Sequence, residues 1–271
     1  MPEKGKEMKT INPRAAAFDI LLAIEDGAYT NLALDQYFEG PGRSLTRLDR
    51  NFIMELVQGS VRNRRYLDWI VDQKIKRPQD LKTGPRNLLR MAFYQLCFLD
   101  KVPAHAVTHE TVNLAKRRFH QGVASLMNGV LRSWLRNPEE IHWPDVNEDP
   151  ETYLSVTYSH PAWMIRAWLN LFGFEKTQEL CQYNNQPPEL WLRTNTLKTT
   201  RKGLMETLEA QGCQVQEGRY APESVLYQSG PALRQLEAFQ QGWFAVQDES
   251  SMLVAHGLMP KAGQRVWDTC A

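Results

Sequence analysis

The sequence predicts a multidomain chain in which an all-helical N-terminal domain precedes a small α/β domain. Apolar residues recur at the 3.6-residue spacing of amphipathic helices across residues 1–142, and no alternating strand pattern interrupts them. From residue 150 onward, short apolar segments typical of strands lie between helices. The length of 271 residues agrees with this division, because it exceeds what one ordinary hydrophobic core requires.

Helix-start signals locate the first helices of the N-terminal domain. Asn12 followed by Pro13 is a typical N-cap with proline at the first helical position. Thr46 with Asp49 three residues later marks a second start by similar capping chemistry. Residues 88–99 are apolar nearly all round, which predicts the buried central helix of the bundle.

A break rich in proline and acidic residues at 137–150 ends the helical domain. Beyond it, Gly173 is expected to end an aromatic-rich helix, Thr200 to cap another, and Gly212 to end that second helix. Strands are predicted at residues 190–196, near 215, and at 225–227 and 243–246, with helices at 161–172, 200–211, 232–239 and 250–258.

The last segment, residues 265–269, is predicted to be an apolar strand. It follows a helix and a tight turn, and such a strand needs a downstream partner to pair with. We therefore expect the chain to be cut off at the first strand of a third, α/β domain. The expected domain limits are 1–142, 150–240 and 241–271.

Charge is distributed unevenly along the chain, although the formal net charge is only +1. Residues 1–145 hold 22 Lys/Arg and 17 Asp/Glu, a net of +5, whereas residues 146–271 hold 10 and 14, a net of −4. The stretch from Thr111 to Pro138 has five basic residues and no acidic one. A positive field of this kind indicates an anionic partner, with a solvated helix face as the alternative interpretation.

Composition and cysteine usage exclude several classes of protein. A hydrophobic fraction of 42% with 23% charged residues is ordinary for globular proteins and excludes a fully disordered chain. The four cysteines form no CxxC pair, so neither a disulfide framework nor a structural zinc site is expected, and a reducing cytoplasm fits. Asp19 interrupts the first apolar run, so neither a signal peptide nor a membrane span is expected.

Short motifs in both domains carry a resemblance to a known family. In chain order they include Arg14-Ala-Ala-Ala-Phe, Asp49-Arg-Asn-Phe, Gly59-Ser-Val-Arg62, Tyr94-Gln-Leu, Asn128-Gly-Val-Leu-Arg132, Ser159-His-Pro-Ala-Trp163, Trp191-Leu-Arg-Thr-Asn195 and Asp268-Thr-Cys-Ala271. With these motifs in this order, the chain resembles the bacterial small-subunit ribosomal RNA cytosine-5 methyltransferase B family, also called Sun or Fmu. The resemblance implies a NusB-like helical domain, a small RNA-binding domain and the start of a Rossmann-type methyltransferase domain.

The resemblance also implies the chemistry of the whole protein. The family wraps S-adenosylmethionine in a glycine-rich loop that begins at the positions of Cys270 and Ala271, so these are the expected cofactor-binding residues. Its two catalytic cysteines belong to later motifs, so no catalytic residue is expected here and the chain alone should be inactive. The implied partner is small-subunit ribosomal RNA, and the protein is expected to be a cytoplasmic monomer.

Two sets of residues are predicted to contact RNA. Arg62 and Arg65 belong to a series of basic residues, from Arg43 to Arg90, that is expected on the surface of the helical domain. Arg193 and Asn195 alternate on one face of a predicted strand, where a cation suits a phosphate and an amide suits a base or ribose edge. Two alternatives remain open: the arginine pairs with a glutamate, and the neighbouring tryptophan, at position 191, belongs to the core instead of stacking on a base.

The remaining candidates are expected to have structural roles. His105 and His160 lack a second ligand at useful spacing, so both are expected at helix starts without a metal. Asp248 is expected to cap the following helix, and Trp163 is expected in the core. Two other functions stay open: a stand-alone NusB-like antitermination module without catalysis, and a protein-interaction scaffold.

Overall fold

The computed structural model describes residues 11–269, which divide into two compact units between residues 185 and 186. The first unit is built of helices, and the second is a small sheet with helices. The predicted architecture, an all-helical domain followed by a small α/β domain, is confirmed. The finer domain limits expected from the sequence stay predictions.

Helices surrounding one hydrophobic core form most of the first unit. The helices of this unit are α1 (Pro13–Glu25), α2 (Thr30–Glu39), α3 (Arg47–Arg62), α4 (Arg64–Lys74), α5 (Thr83–Phe98), α6 (Ala104–Arg118), α7 (Gln121–Arg136), α8 (Pro150–Thr157) and α9 (Ala162–Asn185). Every residue of α5 from Asn87 to Gln95 is buried, so α5 is the central helix that its all-round apolar pattern predicts. The α1 residue Phe18 and the α7 residue Met127 are buried in the same core.

The predicted caps begin the first helices as expected. The side-chain oxygen of Asn12 accepts the backbone N–H of Arg14 at 2.9 Å, with Pro13 at the first helical position. The hydroxyl of Thr46 accepts the backbone N–H of Asp49 at 3.1 Å. Both bonds satisfy backbone donors that a helix start leaves without an intrahelical partner.

Two features of the first unit differ from the sequence prediction. The break after residue 137 is followed by a helix that the sequence pattern did not predict, α8. Its start is capped by Asp149, whose side chain accepts the backbone N–H of Thr152 at 2.9 Å. Gly173 does interrupt a helix, with a φ of +75°, but helical turns resume and α9 continues to Asn185. A glycine adopts this left-handed conformation without a steric penalty, so it marks an interruption here and not an end.

A close contact between α3 and α5 explains two of the sequence motifs by packing. A Cβ atom on Gly59 would lie 1.9 Å from the Cζ atom of Tyr94, so only glycine leaves room for the ring. The Tyr94 hydroxyl donates to the carboxylate of Glu55, and burial raises the pKa of Tyr94. The motifs at these positions therefore hold the helices together.

The second unit is a four-stranded antiparallel sheet with short helices. Its elements are β1 (Leu190–Thr194), α10 (Arg201–Ala210), β2 (Gln214–Glu217), β3 (Ser224–Ser229), α11 (Glu237–Gln240), β4 (Phe244–Val246) and α12 (Glu249–Leu258). The strand order is β2-β3-β1-β4. Leu192 of β1 pairs with Val225 of β3, and both pack in one core with Leu204 and Leu208 of α10. One face of the sheet is thus covered by α10.

Local signals also define the elements of the second unit. Thr200 accepts the backbone N–H of Gly203 at 3.1 Å, and Gly212, with a φ of +79°, follows the end of α10. Asp248 accepts the backbone N–H of Ser250 at 2.8 Å, so its predicted capping of α12 is confirmed.

Two predicted elements of the second unit are wrong. Residues 265–269 form no strand in the part of the chain that the structure describes, because the sheet comprises strands between residues 190 and 246 only and does not extend to this segment. The helix predicted at 232–239 is a 3₁₀ turn, Leu233–Gln235, followed by α11. Leu236 has an extended backbone between them, which prevents a continuous helix.

Candidate nucleic-acid interface

A cleft of the second unit opens at the C-terminal end of β1. Its volume is about 710 Å³, and its wall includes Arg193, Thr194 and Asn195 of β1 and the loop after it. Arg201 at the start of α10 and His256 of α12 also contribute to the wall. The cleft therefore contains both residues of this unit that the sequence predicts as RNA contacts.

Arg193 provides an unpaired positive charge at the cleft. It is exposed on β1, where its neighbours in register are Ala245 of β4 and Ser224 of β3. Within residues 11–269 its guanidinium forms no ion pair, so the alternative pairing with a glutamate is not seen. A guanidinium of this kind is free to bind a phosphate or a carboxylate.

Thr194, which sequence reasoning missed, adds an unsatisfied polar atom to the same wall. Its side chain is 2% exposed, and its hydroxyl has no hydrogen-bond partner among the described residues. Burying a hydroxyl without a partner costs free energy, so a ligand or water group at this position would be stabilised. Strand alternation alone points this residue away from Arg193, which is why the strand pattern did not identify it as a candidate.

The side chain of Asn195 is already engaged in holding the loop. Its Nδ2 donates to the backbone oxygen of Gly242 at 2.9 Å, and its Oδ1 accepts the backbone N–H of Leu197 at 3.2 Å. Its own backbone N–H donates to the oxygen of Trp243 at 2.7 Å. Asn195 therefore shapes the cleft in this structure, and contact of its amide with RNA stays a prediction.

The other charges of the cleft are paired. Arg201 binds Glu217 at 2.7 Å, and the Nε2 atom of His256 lies 2.9 Å from a carboxylate oxygen of Glu223. Arg201 is therefore neutralised by a carboxylate, and Glu223 is held by an imidazole. Arg193 is the arginine of the cleft wall that forms no ion pair within the described range.

A buried carboxylate fixes the loop that carries Glu223. One oxygen of Glu249 accepts the backbone N–H of Tyr220 at 2.8 Å, that of Ala221 at 3.0 Å and the hydroxyl of Ser224 at 2.5 Å. Burial alone would raise the pKa of Glu249, but these donors outweigh it and hold the pKa below its usual range. The ionised carboxylate therefore holds the wall of the cleft in place.

In the first unit, Arg62 and Arg65 are both exposed where α3 meets α4. Neither forms an ion pair within the described range, while the backbone N–H of Arg65 donates to the hydroxyl of Ser159 at 3.0 Å. Arg64 between them behaves differently, since it pairs with Glu25 at 3.2 Å. The two predicted residues are thus free cations three residues apart in the sequence, on either side of the break between α3 and α4.

The basic surface expected from Arg43 to Arg90 is only partly present. Arg90 is 5% exposed, and its guanidinium bonds to both carboxylate oxygens of Asp68 at 2.8 Å and to Glu25 at 2.9 Å. Arg86 bonds to Asp68 at 3.1 Å and to Asp72 at 2.8 Å. The prediction was wrong for these two arginines, because acidic residues distant in sequence form ion pairs with them and neutralise their charge.

The remaining candidates have the positions that their local contacts define. His160 is buried before α9, where its Nδ1 lies 2.7 Å from the backbone oxygen of Tyr158 and its ring lies edge-on to Trp168. Burial lowers the pKa of His160, which favours a neutral structural imidazole. The prediction that Trp163 belongs to the core is wrong, since 68% of it is exposed.

Two cysteine thiols of the described range, those of Cys97 and Cys181, are not activated. Burial raises the pKa of Cys97 to about 12 and that of Cys181 to about 11. A nucleophilic cysteine needs a lowered pKa, so neither thiol suits that role at neutral pH. Cys270 and Ala271, the predicted cofactor-binding residues, lie outside the described residues.

Neither a helix able to cross a membrane nor a cluster of metal-ligand side chains is present within residues 11–269. No helix there has the length and apolar character needed to cross a membrane. No group of three or more His, Cys, Asp or Glu side chains in this range is placed to hold a metal ion.

Two family models match the chain, one for each part of the architecture. The NusB family matches residues 11–136, within the helical unit. The model described as Methyltr_RsmF/B-like, ferredoxin-like domain matches residues 160–233. The second match includes the strand that carries Arg193.

Similar proteins share both parts in the same order. The probable ribosomal RNA small subunit methyltransferase B of Bacillus subtilis is 37% identical over 97% of this chain and 58% of its own length. The corresponding protein of Synechocystis is 34% identical over 96% of this chain and 58% of its own length. The crystal structure of PH0851 aligns with a TM-score of 0.65 at 19% identity, over 94% of this chain and 57% of that one, and this supports the fold alone. The chain thus spans a little over half the length of these relatives.

Proposed function

We propose, because this chain belongs to the ribosomal RNA small subunit methyltransferase B family, that its two described units bind ribosomal RNA and position it for methylation of a cytosine at C5. The names of the relatives favour this function over a stand-alone antitermination module or an interaction scaffold. The small-subunit RNA is the proposed substrate, and the chain is proposed to act as a cytoplasmic monomer.

The observation that carries the proposal is the cleft at the end of β1. The exposed, unpaired guanidinium of Arg193 lies on its wall, which Thr194 and Asn195 continue. A phosphodiester offers a negative charge to this guanidinium, and a ribose or base edge offers hydrogen bonds as well. Single-stranded RNA therefore suits the cleft.

The methyl donor proposed for the whole protein is S-adenosylmethionine, with Cys270 and Ala271 at the start of its binding loop. The chemical step would use a cysteine thiolate that attacks C6 of cytosine and so activates C5 to accept the methyl group. The protonated thiols of the half-buried Cys97 and the buried Cys181 do not supply that nucleophile. The role of the described residues is to hold the RNA.

Removing the free cations should weaken RNA binding and flatten its salt dependence. Arg193→Glu and, separately, Arg62→Gln with Arg65→Gln each remove proposed phosphate contacts. Every lost contact should reduce the magnitude of the slope of log affinity against log salt by about 0.7. At about 0.1 M salt this corresponds to an affinity about fivefold lower. Fluorescence anisotropy with a labelled small-subunit ribosomal RNA fragment, repeated at several salt concentrations, measures both quantities.

Lys202→Glu is the matched control for both variants, because it changes the net charge by the same amount. Lys202 is exposed on α10, and its nearest acidic partner is Glu206 at 3.8 Å. The control should bind RNA almost as tightly as the unchanged chain. Equal affinities and salt slopes for Arg193→Glu and the control would contradict the proposed role of the cleft.

A further inference from the structure

A second groove in the described structure lies within the helical unit, between α6 and α7. Its volume is about 450 Å³. The groove is lined by His105, Thr108, His109, Val112, Asn113 and Lys116 of α6 and by Asn128, Arg132 and Leu135 of α7. The α6 residues are spaced three and four apart, so they form one face of that helix over about 16 Å of its axis. The groove is therefore an extended channel and not a pocket for a single small ion.

The charge of this groove is positive and not neutralised. Lys116 and Arg132 face it from opposite helices, both exposed and both without an ion pair in the described range. None of the described lining residues is acidic. Glu110, the acidic residue of α6, is bonded to the side chain of Asn12 at 3.1 Å and approaches His109 at 3.3 Å, but does not line the groove.

The basic residues that create this charge belong to the stretch without acids between Thr111 and Pro138. Within that stretch, Arg118 is used internally, since it binds Asp19 at 2.5 Å. Lys116 and Arg132 have no such use. Two unpaired cations of the stretch, Lys116 and Arg132, thus face the groove, whereas Arg118 contributes no free charge.

We propose that this groove binds the phosphodiester backbone of RNA. The proposal rests on the proposed function, and it adds a second RNA-binding site to the helical unit, apart from Arg62 and Arg65. Two cations on opposite walls suit successive phosphates. The imidazole rings of His105 and His109 are planar surfaces on which bases stack.

The residue types of the lining favour RNA over a protein partner. Val112 and Leu135 are the apolar residues among those lining the groove, whereas Asn128 offers its amide. Thr108 and Asn113 offer acceptor oxygens, since the Thr108 hydroxyl donates to the backbone oxygen of Ala104 and the Asn113 Nδ2 lies 3.1 Å from the Nε2 atom of His109. A protein interface usually needs an apolar centre, while a single-stranded RNA site combines cations, polar groups and rings. The groove has the second combination.

The test replaces both cations by neutral residues instead of reversing their charge. Lys116→Gln with Arg132→Gln should lower the affinity for a fluorescein-labelled oligouridylate about 25-fold at about 0.1 M salt and reduce the salt slope by about 1.4, since two phosphate contacts are lost. Lys176→Glu, at an exposed lysine of α9, changes the net charge equally and should leave both quantities nearly unchanged.

The outcomes separate this site from the proposed function. If the unchanged chain binds oligouridylate and the groove variant binds with the same affinity and slope, the groove proposal is overturned while RNA binding stands. If the unchanged chain binds no RNA, both proposals fail. If polyglutamate displaces oligouridylate at equal charge concentration, the groove is a site for acidic protein segments and the proposal is likewise overturned.

Discussion

Replacing Arg90 with leucine should destabilise the helical unit by about 3–5 kcal/mol, the usual cost of removing one partner from a buried ion pair. The Arg90 guanidinium binds Asp68 through two nitrogens, Glu25 through a third contact and the side-chain oxygen of Asn87 at 2.7 Å. Leucine fills similar space but leaves two partly buried carboxylates, on Asp68 and Glu25, without their main cation. Hydrogen exchange of α5 amides measures the loss.

The same experiment contains its own controls. Amides of α10 should exchange at an unchanged rate, because the substitution lies in the other unit. Arg77→Leu removes an exposed arginine whose partner Asp80 is 3.7 Å away, and the effect should stay within about 0.5 kcal/mol. If the α5 amides exchange as slowly in the Arg90→Leu variant as in the Arg77→Leu variant, the ion pairs of Arg90 do not stabilise the helical unit.

Replacing Glu249 with alanine should destabilise the second unit by about 3 kcal/mol or more, because three donors lose one acceptor and each unsatisfied donor costs about 1–3 kcal/mol. The donors are the backbone N–H groups of Tyr220 and Ala221 and the hydroxyl of Ser224. Glu249→Gln keeps an oxygen at this position but loses its charge, so it should destabilise less. Urea unfolding, monitored through the hydrogen exchange of β3 amides, measures the free energy of unfolding of both variants.

The charge of Glu249 also predicts a pH dependence. Its pKa is lowered in the folded chain, so the stability it supplies is fully present above the pKa of an unfolded glutamate, about 4.3. That contribution disappears as the pH falls through the lower folded pKa. Glu249→Gln should lack this part of the acid destabilisation. If the free energy of unfolding falls equally steeply with decreasing pH in the unchanged chain and in Glu249→Gln, Glu249 does not titrate as described.

Features set by neighbouring residues could be predicted from the sequence. Caps at Asn12, Thr46, Thr200 and Asp248 depend on a side chain and a backbone N–H two or three residues away. The burial of α5 follows from an apolar pattern that continues around the whole helix. The exposure of Arg193 follows from strand alternation, which places it on the opposite face from the buried Leu192.

Features set by distant residues could not be predicted. The burial of Arg90 depends on Glu25 and Asp68, which lie 65 and 22 residues away in the sequence. The side chain of Asn195 is held by Gly242, 47 residues later. The strand expected at 265–269 had the right residue types, but a strand also needs a neighbour, which composition does not supply.

The α6–α7 groove shows how the two kinds of information combine. The absence of acidic residues from Thr111 to Pro138 was visible in the sequence and indicated a positive field. Packing then decides which charges stay free, since Arg118 reaches Asp19 on α1 while Lys116 and Arg132 face the groove.

Ultraviolet crosslinking of the chain to small-subunit ribosomal RNA, read out by mass spectrometry, most directly tests whether the described units hold the substrate. We predict crosslinked peptides that contain the cleft segment around Arg193 and the junction at Arg62 and Arg65. Crosslinks that are absent from both segments, while the RNA is bound, would contradict the proposal that these units position ribosomal RNA.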